Sequence, residues 1–211
     1  MKTIVSIAFK LALLVPLVGE AASVSIHWFN EASIGTELKD NSGVPLTMGA
    51  VASGDGAVLQ LGYYSGASQI NPFAGSWVPL TGPGTSISTT IGDNPSLMPG
   101  RFNITTGFKS EYPNVPPIGT PLAIRFYDST SLATANYFNT VSNTAGTWNW
   151  ITSDPTAAMS LAIVLSSPTQ VWQDGADSAF RTTIPVPEPS VLWLMAGSAW
   201  LVFRRRRDGP R

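Results

Sequence analysis

The chain has 211 residues, no cysteine, a single histidine and a formal net charge of −1. It therefore holds no disulfide, no zinc site of the Cys/His type and no thiol nucleophile, so its stability has to come from burial and backbone pairing. With 19 Gly and 17 Pro, the composition disfavours long helices and suits short strands joined by turns.

Residues 1–23 read as a secretory signal peptide, the signal helix of the chain. Lys2 and Lys10 give a positive start, 11–18 are apolar, and Gly19, Ala21 and Ser23 are small residues at cleavage spacing. The cut is expected after Ala21 or Ser23. An uncleaved N-terminal anchor is the structural alternative, but Lys10 breaks a run already short for a span. The body, 24–183, carries Lys39, Arg101, Lys109, Arg125 and Arg181 against ten Asp and Glu, so its balance is 5 − 10 = −5. The overall charge hides this because seven of the twelve cations sit at the termini. An acidic body argues against nucleic acid as a partner and against adhesion to anionic lipid; solubility outside the cell also accounts for it.

About 160 residues suffice for one domain with its own core. Period-two alternation predicts strands over 24–29, 58–64, 86–91, 101–105, 122–128, 147–152 and 160–165. In the second, Leu59, Leu61 and Tyr63 share one face and Gln60 takes the other. In the fifth, Leu122, Ile124 and Phe126 alternate with Arg125 and Tyr127. Turn clusters at 53–56, 81–84 and 92–95 separate them. Residues 65–79 and 112–121 read as long loops, with a small helix near 72–77 or 32–40. The predicted fold is mainly β, an antiparallel β-sandwich or jelly-roll-like domain.

The body offers little catalytic chemistry. His27 is the only histidine, and no Gly-x-Ser-x-Gly elbow accompanies it, so a structural role is expected. Glu31, Glu37 and Glu111 are the body's glutamates, and sequence spacing does not pair two of them for glycoside hydrolysis. Asp174-Gly175-Ala176-Asp177 could offer oxygen ligands to calcium but lacks the Asp-x-Asp-x-Asp-Gly pattern; a solvated turn is expected and no metal is assigned. Asn103-Ile104-Thr105 matches a glycosylation sequon, a match expected from chance alone. No cofactor is expected and the body is read as non-enzymatic. Trp148 and Trp150 are candidates for sugar contact: two apart on one strand, they share a face. Core packing is the competing use, since a disulfide-free sandwich needs large apolar anchors.

The tail, 184–211, is the most specific feature. Pro187 and Pro189 fix their φ angles and hold Glu188 in an extended, polyproline-like stretch. Val191 to Phe203 carry no charge, and Arg204, Arg205, Arg206 and Arg207 follow. Thirteen residues of helix reach about 20 Å against a hydrocarbon core of about 30 Å, so spanning relies on snorkelling and local thinning. The arginines orient the segment with its C-terminus in the cytoplasm and the body outside. A buried core helix or a nucleic-acid-binding basic tail is a poorer account of four adjacent arginines after an acidic body.

Val186-Pro187-Glu188-Pro189-Ser190, the short apolar helix and the arginine cluster resemble the PEP-CTERM sorting signal of exported Gram-negative proteins. The resemblance covers about 184–207. The apolar segment is at the short end, and Asp208-Gly209-Pro210-Arg211 follow the arginines. The resemblance implies recognition of Pro187, Glu188 and Pro189 by an exosortase, a membrane-embedded cysteine protease-transpeptidase, which processes the chain near that triplet. The body, through 59–63, 119–122 and 148–150, also resembles small exported β-domains that carry this signal; that likeness brings no activity with it. The expectation is an exported protein, held transiently in the inner membrane and then placed at the cell surface or outside. Its alternatives are a carbohydrate-binding module of the extracellular polysaccharide and an envelope hydrolase.

Overall fold

The computed structural model describes residues 23–30, 35–49, 56–80, 88–90, 99–109, 113–151 and 157–187. Ten strands are described: β1 (Ser23–Asn30), β2 (Val58–Tyr64), β3 (Trp77–Pro79), β4 (Ser88–Thr90), β5 (Asn103–Lys109), β6 (Leu122–Tyr127), β7 (Tyr137–Asn143), β8 (Ala158–Ile163), β9 (Gln170–Trp172) and β10 (Ile184–Pro185). Among the described residues the only helical element is a single 3-10 turn, Ala176–Ser178. The chain is thus mainly β, as its composition predicts. No helix among the described residues is long and apolar enough to cross a membrane; 1–22 and 188–211, where the signal peptide and the membrane-held apolar segment are expected, lie outside them.

Two sheets form. The smaller has the order β5-β1-β8, with β1 antiparallel to β5 and parallel to β8. The larger runs β10-β7-β6-β2-β3, with β4 also on β2 and β9 also on β7, all antiparallel. Ile26, Trp28, Phe108 and Leu161 from the first sheet meet Leu59, Leu61, Ile124, Phe126 and Val141 from the second in one cluster, all under 2 % exposed. The inward faces are the apolar halves of the alternating strands, as period-two patterning requires. Burial of such side chains contributes roughly 1.5–3 kcal/mol each before entropy is counted.

Several boundaries and elements differ from the sequence reading. The strand expected over 147–152 is reduced to one bridge, Asn149 to Pro121. Leu122 N donates to Trp148 O at 2.9 Å, Trp150 N to Thr120 O at 2.8 Å and Gly119 N to Trp150 O at 2.9 Å, but Pro121 has no N–H and Gly119, at φ +84°, is not in extended conformation. The loop expected over 65–79 contains β3, which pairs Trp77 with Tyr64. No helix forms at 72–77: Ala74 N and Ser68 N both bond to Asn71 O, which closes a turn there. Within 32–40, the described residues 35–40 are non-helical; Leu38 N donates to Gly100 O and Leu46 N to Leu38 O. Strand β7 has no counterpart in the sequence reading, nor do β9 and β10.

Candidate functional site

Of the residues expected to act in sorting, only Pro187 is described; Glu188, Pro189 and Arg204 to Arg207 fall outside. Pro187 is exposed and stands two positions beyond β10. Ile184 pairs with Phe138 and Pro185 with Tyr137 along the outer edge of β7. An edge position suits Pro185, which has no N–H to donate to a further strand. Thr183 N donates to Phe138 O at 3.2 Å and Val186 N to Asn136 O at 2.8 Å. Ile184 and Val186 pack on a small apolar cluster of Val58, Tyr127 and Phe138. The chain is therefore clamped through Val186 and leaves the sheet at the end that carries the β6–β7 hairpin.

Trp148 and Trp150 still point the same way, but inward, at 2 % and 3 % exposure. Trp150 meets Phe108 edge-on at 5.3 Å. Neither indole presents an open face on which a sugar ring could stack, and both serve the core. Trp28 is fully buried, its Nε1 donating to Thr106 Oγ1 at 3.1 Å. His27 lies on the outward face of β1, stacked on Phe29 at 4.5 Å and 2.9 Å from Asn103 Oδ1. That bond engages the asparagine of the sequon. Glu37 pairs with Arg101 at 2.6 Å, and its carboxyl is held below the usual range chiefly by that hydrogen bond. Asp174 and Asp177 are exposed around the 3-10 turn, and no group of three metal-ligating side chains occurs among the described residues. Glu31 and Glu111 lie outside the described residues.

The most elaborate polar cluster lies on the outward face of the larger sheet, centred on Arg125. Its Nε donates to Thr140 Oγ1 at 3.1 Å and its Nη2 to Tyr64 Oη at 2.7 Å. The guanidinium carbon lies 4.2 Å from the Trp77 ring centre, 4.4 Å from Phe138 and 5.5 Å from Tyr64. Tyr64 Oη in turn donates to Gln173 Oε1 at 2.5 Å. Tyr127 Oη donates to Gln60 Oε1 at 2.8 Å; burial pushes its pKa up, so it remains a neutral donor. Gly62 makes room for Trp77: a Cβ there would come within 2.6 Å of Val78 O and 2.7 Å of the indole. Arg125 is held by rings and hydroxyls, while Glu37 pairs with Arg101 elsewhere. A cation fixed this way can keep the sheet face rigid, and it can present N–H donors to an outside anion.

Sequence reasoning missed this cluster. Its signal was the outward set of β2 and β6, where Gln60, Tyr64, Arg125 and Tyr127 are large hydrogen-bonding side chains rather than short solvated ones. Comparison of the chain with protein-family models, curated proteins and solved structures gave no match.

Proposed function

We propose that the chain is an exported, non-enzymatic protein of the cell envelope or extracellular matrix, a jelly-roll-like β-sandwich sorted by an exosortase. On this reading the apolar segment holds it transiently in the inner membrane, and processing occurs at Pro187-Glu188-Pro189. One observation supports it most: β10 lies at the edge of the sheet, and in the sequence the Pro-Glu-Pro triplet begins directly after Val186, the last clamped residue among those described.

Terminal peptide mapping of natively produced protein tests the reading. The expected N-terminus lies at residue 22 or 24, with the C-terminus inside or just beyond the triplet. Deletion of the exosortase should leave the arginine tail attached and the protein in the membrane fraction. Protein that keeps Met1 and Arg211 and stays in the cytoplasm would sink the reading.

A second reading, recognition of an acidic sugar of the extracellular polysaccharide, draws on Arg125 and its flanking rings rather than on Trp148 and Trp150. It predicts binding to uronate-bearing glycans that disappears in Arg125→Met while the fold persists. Equal binding by variant and parent would remove it.

A further inference from the structure

We infer that, while the apolar segment holds the chain in the membrane, the β6–β7 hairpin loop, 128–136, seats on the outer surface of the inner membrane with Leu132 in the headgroup layer. The inference rests on the sorting reading above.

The tether is the first argument. Val186 is the last of the described residues bonded to the rest of the domain, through Asn136 O. Val191 is the first of the uncharged run. The five peptide steps between them reach about 17 Å when fully extended, and about 16 Å in the polyproline form that Pro187 and Pro189 favour. A domain of this size is roughly 40 Å across. A tether shorter than half that width prevents the domain from turning its far end to the membrane. The apolar segment is itself short for the bilayer, which draws Val191 towards the headgroups and shortens the free tether further.

The direction of exit is the second argument. β10 runs antiparallel to β7, so 184 to 186 advance towards Asn136, the foot of the hairpin. The loop after β2, with Ile70 at its tip, lies at the other end of the sheet, because Tyr63 pairs with Leu122 and Leu59 with Phe126.

The chemistry of the loop is the third. In a body of charge −5, the stretch Asp-Ser-Thr-Ser-Leu-Ala-Thr-Ala-Asn has one charge, and its Oδ1 is turned onto the Asn136 and Tyr137 amides at 2.9 and 3.1 Å. Ser129 Oγ and Thr134 Oγ1 lie 2.6 Å apart, and Thr134 N donates to Ser131 O at 3.2 Å, which fixes the tip. Leu132 stands at its apex, 43 % exposed. A rigid tip with an aliphatic apex and its carboxylate engaged by amides can enter headgroups without stripping water from a free charge.

The cysteine-free chain makes the test clean. Full-chain Leu132→Cys and Ile70→Cys would each carry one fluorophore and be inserted in vesicles of phosphatidylethanolamine and phosphatidylglycerol containing a headgroup-level quencher lipid. The label at 132 should lose emission, the label at 70 should keep it, and protease release of the domain should restore 132. Ala133→Cys, also exposed, replaces 132 should that variant not fold. A chain that floats with the vesicles while 132 stays bright, or while 70 is quenched equally, overturns the orientation. Quenching that needs exosortase in the vesicle makes the enzyme the occupant and overturns the lipid contact. A chain that does not float at all overturns the membrane-held reading instead, and flotation alone separates that failure from the others.

Discussion

Replacing Trp150 by alanine separates the two uses of the Trp-Asn-Trp segment. The indole is 3 % exposed and lies edge-on to Phe108, so its removal takes away buried area and leaves a cavity between the sheets. Large aromatic to alanine changes in such positions cost about 3–5 kcal/mol. Whole-domain stability is typically about 5–15 kcal/mol, so the loss is a large fraction of it. No disulfide holds the unfolded chain together and softens the effect. With a urea dependence of about 2 kcal/mol/M, the midpoint should fall by roughly 1.5–2.5 M. The assay is equilibrium urea unfolding of the body, followed by intrinsic fluorescence and by circular dichroism, so that loss of the indole itself does not confuse the reading. An unchanged midpoint together with lost glycan binding would refute the argument, because it would make Trp150 a surface contact.

Three further perturbations follow from the side-chain geometry. Arg125→Met removes two hydrogen bonds and three ring contacts while keeping the aliphatic stem; it should cost about 2–3 kcal/mol and alter Trp77 fluorescence, whereas an unchanged midpoint would show that the cluster contributes no stability. Gly62→Ala should displace the Trp77 indole and cost about 1–3 kcal/mol by overpacking, and a variant with parental stability and emission would contradict the close approach. Glu37→Gln should cost about 1 kcal/mol near neutral pH by replacing the carboxylate that pairs with Arg101 by a neutral amide. Because the folded Glu37 carboxyl is held below its ordinary value of 4.5, its contribution is present above that value and disappears as pH falls through the folded one. The gap between parent and variant in acid titrations of stability should therefore close below about pH 4.5; a gap that widens with acid would reverse the sign.

The strands legible from sequence were those with one face in the core and an alternating pattern. β2 coincides with the predicted 58–64, and β6 nearly does with 122–128, since Leu59 and Leu61, and Ile124 and Phe126, recur at period two. β7 was not legible because four of its six buried residues are polar. Asn139, Thr140 and Ser142 are fully buried and satisfied by distant partners: Asn139 Nδ2 donates to Ser178 O and Arg181 O, Thr140 accepts from Arg125, and Ser142 Oγ donates to Leu122 O. A pattern rule that assigns polar residues to water cannot find a strand whose polar groups bond across the fold. The Arg125 cluster was hidden for the same reason, as Tyr64, Trp77, Arg125, Phe138 and Gln173 come together only once β3, β7 and the segment after β9 are in place. The proposed sorting triplet could be read from the sequence because Pro-Glu-Pro is a local pattern that requires no knowledge of tertiary partners.

The fold also restricts where the proposed processing can occur. Ile184 and Val186 cover Val58, Tyr127 and Phe138, and the backbone of 183 to 186 occupies the free edge of β7 near Phe138. A cut before Ile184 would strip that strand and leave an apolar patch beside unpaired amides at a sheet edge, the combination that invites edge-to-edge association. A cut after Pro187 leaves β10 whole, removes the apolar run and Arg204 to Arg207, and frees an acidic body whose charge of −5 favours solubility. Only the second course releases a finished domain. The clamp through Val186 therefore fits the proposal that the recognition triplet begins at Pro187 and not further into the body.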